Sequence, residues 1–330
     1  MRGGGYGKSE KARAYRERYG WDMPTLKLAR IMYRDNKAMF TDVEDARVIL
    51  RYIEGKRGDA ERKMLKIKKM PDRPRNPYSL PDSDETTYEP YRIIAKRVLV
   101  LSDIHIPYHS VDALTACLDY AKGEKPDAVV LNGDTIDFFQ LSRFTKDPAK
   151  RSFASELTAF KQFFQVLRQV FPQSSIYFKL GNHEERYQHY LWMKAGELDG
   201  VDEFKLEEII RARAEGIEMI ADKRIIKLGD LNVIHGHEFG QSIFSPVNIA
   251  RGLFLRGKVS ALQGHHHMTS EHTETDMNRN ITTTFSVGCL CELFPSYLPI
   301  NRWNHGFAIC DVDGDKFHVR NYRIHKGEVL

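Results

Sequence analysis

Downstream of residue 95 the chain alternates short apolar runs with longer amphipathic stretches, and the apolar runs end in similar polar residues. Val98-Leu99-Val100-Leu101 ends at Ser102-Asp103, and Ala128-Val129-Val130-Leu131 ends at Gly133-Asp134. Ile176-Tyr177-Phe178-Lys179-Leu180 ends at Gly181-Asn182-His183. Runs this short with β-branched members predict buried strands, and the stretches 110–122 and 152–170 between them predict helices. Further runs at 231–234 and 259–262 again end in Gly and His. Phe307 to Ile324 predicts a hairpin that turns at Asp313-Gly314-Asp315. The alternation predicts an α/β fold, and open α/β sheets keep their sites just past the C-terminal ends of strands.

Residues 1–70 follow a different pattern. Thr25 is placed to cap a helix presenting Leu26, Ala29, Ile31, Met32 and Tyr33. Thr41-Asp42-Val43-Glu44 has the form of a capping box, with Phe40 as its staple. The segment it opens carries Val48, Leu50, Tyr52 and Ile53 among Arg47 and Arg51, and stops near Gly55 and Gly58. Such a pair is compatible with a helix-turn-helix and equally with an ordinary helical pair. Pro71, Pro74, Pro77, Pro81 and Pro90 among polar residues predict an extended, Pro-rich linker over 71–94.

Charge changes at the same boundary. Residues 1–75 hold 21 Lys+Arg against 11 Asp+Glu, whereas residues 76–330 hold 29 against 34. A basic head on an acidic body points to nucleic acid as a partner of the head, with a solvated helical face as the plain alternative. At 330 residues the chain has room for one catalytic core and a small extra module. No apolar run is long enough to span a bilayer, and Met1 to Tyr19 lacks the apolar region of a signal peptide. The expected compartment is therefore the cytoplasm, with no membrane partner. Cys117, Cys289, Cys291 and Cys310 are too few and too irregular for a disulfide framework and read as buried or half-buried thiols.

The residues past the strand ends carry the chemistry. Asp103, His105, Asp134, Asn182, His183, His235, His265 and His267 offer carboxylate, amide and imidazole groups but no thiol. This donor set suits Mn²⁺, Fe, Zn²⁺ or Mg²⁺ rather than a structural zinc cage. Asp103 and His105 point the same way from extended backbone, so both can serve one ion. Two cations about 3.5–4 Å apart need a bridging carboxylate. Taken singly, each residue has an ordinary structural explanation as a turn, a cap or a chance neighbour. Their joint appearance, each after an apolar run, points to a metal site.

The motifs Asp103-Ile104-His105, Gly133-Asp134-Thr135-Ile136-Asp137, Gly181-Asn182-His183-Glu184, His235-Gly236-His237 and Gly264-His265-His266-His267 stand in this order over roughly 95–325. As an ordered set they resemble the calcineurin-like metallophosphoesterases. The resemblance implies a two-sheet α/β/β/α sandwich as the catalytic domain, 95–330, here joined to a small N-terminal helical domain. It implies two divalent metal ions, Mn²⁺ first, with Asp103, His105 and His267 at one and Asn182, His235 and His265 at the other. Asp134 would bridge them. His183 matches the family's catalytic histidine, which would protonate the leaving oxygen or stabilise charge on the phosphoryl group, and Asp137 matches the acid that orients it, with Glu184 as the alternative partner. His237 and His266 match no constant ligand position.

Phosphoryl transfer also calls for an added cation, and Arg143 and Arg186 each follow a motif closely. A surface salt bridge is as ordinary a reading for either. The charged, helical segment 187–224 is expected to form a cap, in which Tyr190 and Trp192 could stack on a base. The leading expectation is a metal-dependent hydrolase of a phosphodiester, in nucleic acid or a nucleotide, and the basic head gives it the look of phage-type or mobile-element phosphoesterases. The alternative is a phosphomonoesterase acting on phosphoprotein or a small metabolite. Against phosphoprotein, the Gly-Asp-x-x-Asp-Arg-Gly motif of protein phosphatases is broken by Phe138-Phe139. A non-catalytic binding scaffold is the third reading, and no vacant motif position supports it.

Overall fold

Strand β2 (Arg97–Leu101) is buried from Val98 onward and divides its side chains between two cores. Leu99 and Leu101 face helices, while Val98 and Val100 face a second sheet. In β3 (Ala128–Asn132) Val129 and Leu131 take the helix side, and Ala128 and Val130 the sheet side. A strand covered on both faces has no solvent side, which is why these runs read as continuously apolar. The chain is seen here as a computed structural model that describes residues 4–54, 81, 88–143, 152–221, 223–240 and 247–330. It divides into two units, Met1–Glu85 and Thr86–Leu330.

In the second unit, β2 and β3 continue parallel through β4 (Ser175–Lys179) to β5 (Ile217–Ile220). On the other side of β2 the sheet is antiparallel, through β11 (His305–Asp313), β12 (Lys316–His325) and β13 (Glu328–Val329). The other sheet runs β1 (Tyr91–Arg92), β6 (Ile226–Leu228), β7 (Leu231–Ile234), β8 (Ala261–Gln263), β10 (Ile281–Ser286) and β9 (Ser270–Thr275). Helices Val111–Glu124 and Phe153–Val170 cover the outer face of the first sheet through Leu114, Cys117, Phe160 and Phe164. Helix Ile249–Gly257 covers the second through Leu253, against Ile234 and Ala261. The result is the α/β/β/α sandwich. The β11–β12 hairpin turns at Gly314, with Asp313 opposite Lys316.

The structure redraws several local expectations. Most of the expected linker, residues 71–80 and 82–87, lies outside the described residues, but Tyr91 and Arg92 form β1, parallel to β6. Segment 187–224 is helical only in its first part, from Glu185–Lys194 to Leu206–Ile209, and then enters the core sheet as β5. Among the described residues no helix is long and apolar enough to cross a membrane.

The first unit is a bundle of α1 (Gly4–Tyr19), α2 (Thr25–Asp35) and α3 (Val43–Ile53) around Leu28, Met32, Phe40, Leu50 and Ile53. Pro24, not Thr25, precedes the first turn of α2, and the Thr25 hydroxyl donates to Glu54 Oε2 at 2.8 Å. The capping box is shifted by one residue. Asp42 accepts from Asp45 N at 2.7 Å, and Asp45 accepts from Thr41 N at 3.0 Å. Residues 36–42 connect α2 to α3, a longer connection than the tight turn of a helix-turn-helix. Residues 55–70 of the expected helical head lie outside the described residues.

Arg16 ties this bundle together. Its guanidinium donates from Nε to Glu54 Oε1 at 3.0 Å and from Nη1 to the Met23 carbonyl at 2.6 Å, with both partners of the ion pair buried. Removing one member of a buried pair leaves the other charged and unpaired. Arg16→Met should therefore destabilise the bundle by about 3–5 kcal/mol. Hydrogen exchange across α1–α3 checks this, and protection equal to wild type in those helices would contradict it.

Candidate metal centre

Five strands deliver the candidate ligands. Asp103 and His105 follow β2, Asp134 follows β3, Asn182 follows β4, His235 follows β7 and His265 and His267 follow β8. Parallel pairing of β2–β3–β4 in one sheet and β7–β8 in the other sends these ends out on the same side. Asp103, His105, Asp134, His265 and His267 all have φ between 50° and 68°. The left-handed region is uncommon for residues with a side chain, at about 1–3 kcal/mol each, and Asp, Asn and His tolerate it best. Each loop thereby turns its donor back toward a common point.

Two glycines allow the loops to meet. A Cβ on Gly181 would lie 2.5 Å from the Asp134 amide nitrogen, and one on Gly264 would lie 2.6 Å from Asp103 Oδ2. The motif glycines are thus required by close approach of neighbouring loops.

Asp134 stands at the middle. Its Oδ2 lies 3.3 Å from His235 Nε2, 3.8 Å from His183 Nε2 and 3.9 Å from His105 Nε2. Its Oδ1 accepts from the His183 backbone N–H at 2.9 Å. Two donor sets share this carboxylate, one with Asp103 and His105, the other with His235 and His265, each set lying within 4.8 Å. His267 Nε2 is 3.2 Å from Asp103 Oδ1 and 3.3 Å from His105 Nε2. Asn182 Oδ1 is 3.3 Å from His235 Nε2. The structure thus brings together all seven residues expected as ligands.

The tautomers favour a cation. His235 Nδ1 donates to the Asn132 carbonyl at 2.8 Å, and His105 Nδ1 lies 3.0 Å from Asp137 Oδ2. Each bond leaves the Nε2 lone pair aimed into the cluster, the usual arrangement of a metal-binding imidazole. Burial should keep these rings neutral. Against it, Asp134 raises His235 to about 10 and Asp103 raises His267 to about 10. Protons there occupy positions that a divalent cation would take. Burial and the neighbouring His235 push His265 down to about 3, and its Nδ1 has no hydrogen-bond partner. The donors therefore fit hard or borderline divalent ions.

Beside this cluster, His183 Nδ1 donates to the Asp137 backbone carbonyl at 2.9 Å, closer than the Asp137 carboxylate at 3.4 Å. The Asp137 carboxylate is instead nearer His105, so its main-chain oxygen provides the shortest contact orienting His183. Arg186 reaches the site, with Nη2 donating to His183 Nε2 at 2.9 Å and Nη1 to the Asp137 carbonyl at 2.8 Å. Arg143 is exposed beside residues 144–151, which lie outside the described residues. His237 pairs with Glu185 at 3.1 Å with its ring centroid 5.3 Å from that of His235, and neither it nor His266 joins a donor set. Trp192 donates to Asp199 Oδ2 at 3.1 Å instead of lining the cluster.

Two carboxylates brace the loops from below. Glu184 is buried and accepts from the backbone N–H groups of Asp134, Thr135, Ile136 and Gly181 at 2.8–3.1 Å. It clamps two motif loops together and does not partner His183. Burial, reinforced by the Asp134 charge, raises its carboxyl to about 6. Glu238 accepts from His235 N and Gly236 N and pairs with Lys179 Nζ at 2.9 Å. Lys179 ends β4 with a fully buried side chain, which in sequence reads simply as part of an apolar run.

A cleft of about 440 Å³ opens beside the cluster. His105, Asp137 and His267 form its floor, and Tyr108, Phe139, Tyr297 and Trp303 line its walls. The sequence offered only the aromatic character of these wall residues, because their loops are distant in the chain.

The sequence profile described as "Calcineurin-like phosphoesterase" matches residues 96–295. The Gene 54 protein of Mycobacterium phage L5 is 28% identical over 240 residues, covering 69% of this chain and 92% of that protein. The Gene 54 protein of Mycobacterium phage D29 is 27% identical over the same shares. Among solved structures, Chaetomium thermophilum Vps29 aligns with a TM-score of 0.38 and 14% identity, covering 71% of this chain and 94% of that one. YfcE, described as a phosphoesterase from E. coli, aligns with a TM-score of 0.33 and 13% identity, covering 64% of this chain and 87% of that one.

The Lys179–Glu238 brace has a pH signature. Burial would raise the Glu238 carboxyl, but Lys179, His237 and His235 together hold it down at about 2, below its ordinary 4.5. A depressed carboxyl stabilises the fold above its unfolded value and loses that contribution as pH falls through the folded value. Metal-free wild type should therefore be more stable than Glu238→Gln at neutral pH, with the gap closing between pH 4.5 and 2. Denaturant unfolding across that range checks this, and a gap that widens with acid would contradict it.

Proposed function

The chain belongs to the calcineurin-like phosphoesterase family, and from that premise we propose that it hydrolyses a phosphodiester at a centre of two divalent cations. The observation that carries this reading is the Asp134 carboxylate, which is common to both donor sets. Asp103, His105 and His267 would hold one ion, Asn182, His235 and His265 the other, and Asp134 both. The nitrogen and oxygen donors suit Mn²⁺ first, with Fe, Zn²⁺ or Mg²⁺ as alternatives. Bound there, such ions would supply Lewis acidity to phosphoryl oxygens and lower the pKa of water toward neutrality.

The remaining roles belong to side chains. His183 Nε2, its ring fixed by the Asp137 carbonyl, would hold the proton that the departing alcohol takes once a phosphoryl oxygen has drawn Arg186 Nη2 away from it. Arg186 brings positive charge to the same place, where a phosphoryl oxygen would compete with His183 for the guanidinium. The cleft adjoining His105 and His267 has room for a second ester substituent, which favours a diester over a monoester.

With Mn²⁺, the protein should hydrolyse bis(p-nitrophenyl) phosphate faster than p-nitrophenyl phosphate. Asp134→Asn should lose bound metal and turnover together. His183→Ala should keep its metal while kcat falls about 10²–10⁴-fold. Metal analysis with steady-state kinetics checks both. A faster monoester rate would overturn the diester preference, and full activity in Asp134→Asn would overturn the shared-carboxylate centre.

We also propose nucleic acid as a partner of the head. The support is the charge of residues 1–75, of which the described part, 4–54, holds 11 Lys+Arg against 8 Asp+Glu. DNA binding by the full chain should weaken steeply with salt and vanish when residues 1–75 are deleted. Binding that survives the deletion would assign it elsewhere.

A further inference from the structure

We infer that Cys291 is a positioning residue of the metal centre: its sulfur accepts from His267 Nδ1–H and keeps His267 Nε2 turned toward the ion shared with Asp103 and His105. This rests on the two-ion reading and assigns a residue outside the seven donors.

His267 is the donor of that ion that comes from the second sheet, at the end of β8, whereas Asp103 and His105 follow β2 in the first. Its Nε2 lies 3.2 Å from Asp103 Oδ1 and 3.3 Å from His105 Nε2. A half-turn about the Cβ–Cγ bond would exchange Nε2 for a carbon and remove the donor. Trp303 packs against the ring with centroids 4.2 Å apart, which limits its tilt but does not choose between its edges. That choice falls to the partner of Nδ1.

With Nε2 on an ion, Nδ1 keeps its proton and can only donate. His105 Nδ1 meets the Asp137 carboxylate at 3.0 Å, and His235 Nδ1 donates to the Asn132 carbonyl at 2.8 Å. His267 Nδ1 instead lies 3.7 Å from Cys291 Sγ, and among the described residues its acceptors are sulfur rather than oxygen. Cys289 adjoins the same ring, but its thiol donates to the Asn304 carbonyl at 3.6 Å.

The backbone fixes where the sulfur stands. Leu290 N donates to the Asp103 carbonyl at 3.0 Å and Glu292 N to the Tyr108 carbonyl at 2.8 Å. His305 Nε2 donates to the Cys291 carbonyl at 2.8 Å. Cys291 is therefore held between the ligand loop after β2 and the start of β11, and it is buried. Sulfur is a weak acceptor, but a third carboxylate beside Asp103 and Asp137 would add buried like charge. A thiol orients the ring without that cost.

The test is calorimetric titration of the metal-free full chain with Zn²⁺, joined to nitrogen NMR of the imidazoles in the Zn²⁺-loaded protein. Wild type should bind two ions, and its His267 Nδ1 proton should exchange slowly. Cys291→Ala should weaken one ion about 10- to 100-fold, leave the other unchanged and release that proton to fast exchange. Cys291→Ser, which keeps an acceptor, should weaken the same ion by less, and it carries the test if the alanine variant does not fold. Cys117→Ala and Cys310→Ala truncate buried thiols in the two cores and should bind both ions as wild type does.

Unchanged affinity for both ions, equal weakening of both, or the same loss in the two control variants would overturn the inference. With Co²⁺, an intense thiolate-to-metal absorption band that disappears in Cys291→Ala would overturn it as well, by making the sulfur itself a ligand. Wild type that binds no divalent ion would remove the metal-centre reading and this inference with it. Two bound ions indifferent to Cys291 would remove this inference alone.

Discussion

A carboxylate almost out of contact with water, that of Asp134, lies within 4 Å of three imidazole nitrogens, and the second unit is organised around that burial. A charge so placed persists only with counter-charge and hydrogen bonds on every side. Asp134 receives a backbone N–H from His183 on one oxygen and faces histidines with the other. The same requirement repeats one layer down, where Glu184 collects four backbone N–H groups and Glu238 meets a buried lysine. Each carboxylate fixes a loop, and the loops fix the donors.

Backbone geometry carries the complementary cost. Five donor residues sit in left-handed conformation, and Gly181 and Gly264 are approached too closely to carry a side chain. Such strain persists where surrounding packing over-determines it, and β2 and β3, buried on both faces, provide that packing. Rigid strands below and strained turns above place ligands from five strands without adjustable surface loops. The Arg16–Glu54 pair organises the helical bundle by the same principle, with one buried cation satisfied by a carboxylate and several carbonyls.

The cleft opens directly beside the candidate donors. Its lining joins His105, Asp137 and His267 of the cluster to four aromatic residues and to Cys291, Glu292, Pro295 and Ser296. The cleft and the candidate donors therefore share residues, whereas the aromatic lining comes from other loops.

The sequence pattern alone determined the alternation of buried strands and helices and the candidate donors at the strand ends, because a strand buried on both faces must be apolar; the two-sheet sandwich was implied by the resemblance of the ordered motifs to a family. The pattern did not determine the edges: β9, with its alternating polar residues, and β1, inside a Pro-rich stretch, owe their pairing to neighbouring strands. Nor did it determine which carboxylate does what. Glu184 stands next to His183 in the chain yet points under the loops, and Asp137 orients His183 most closely through its main-chain oxygen. The wall residues Tyr108, Phe139, Tyr297 and Trp303 were legible only as aromatics. Local chemistry is written into residue type and spacing, whereas the direction of a side chain and the company it keeps depend on contacts between residues far apart in the chain, and only the tertiary structure decides those.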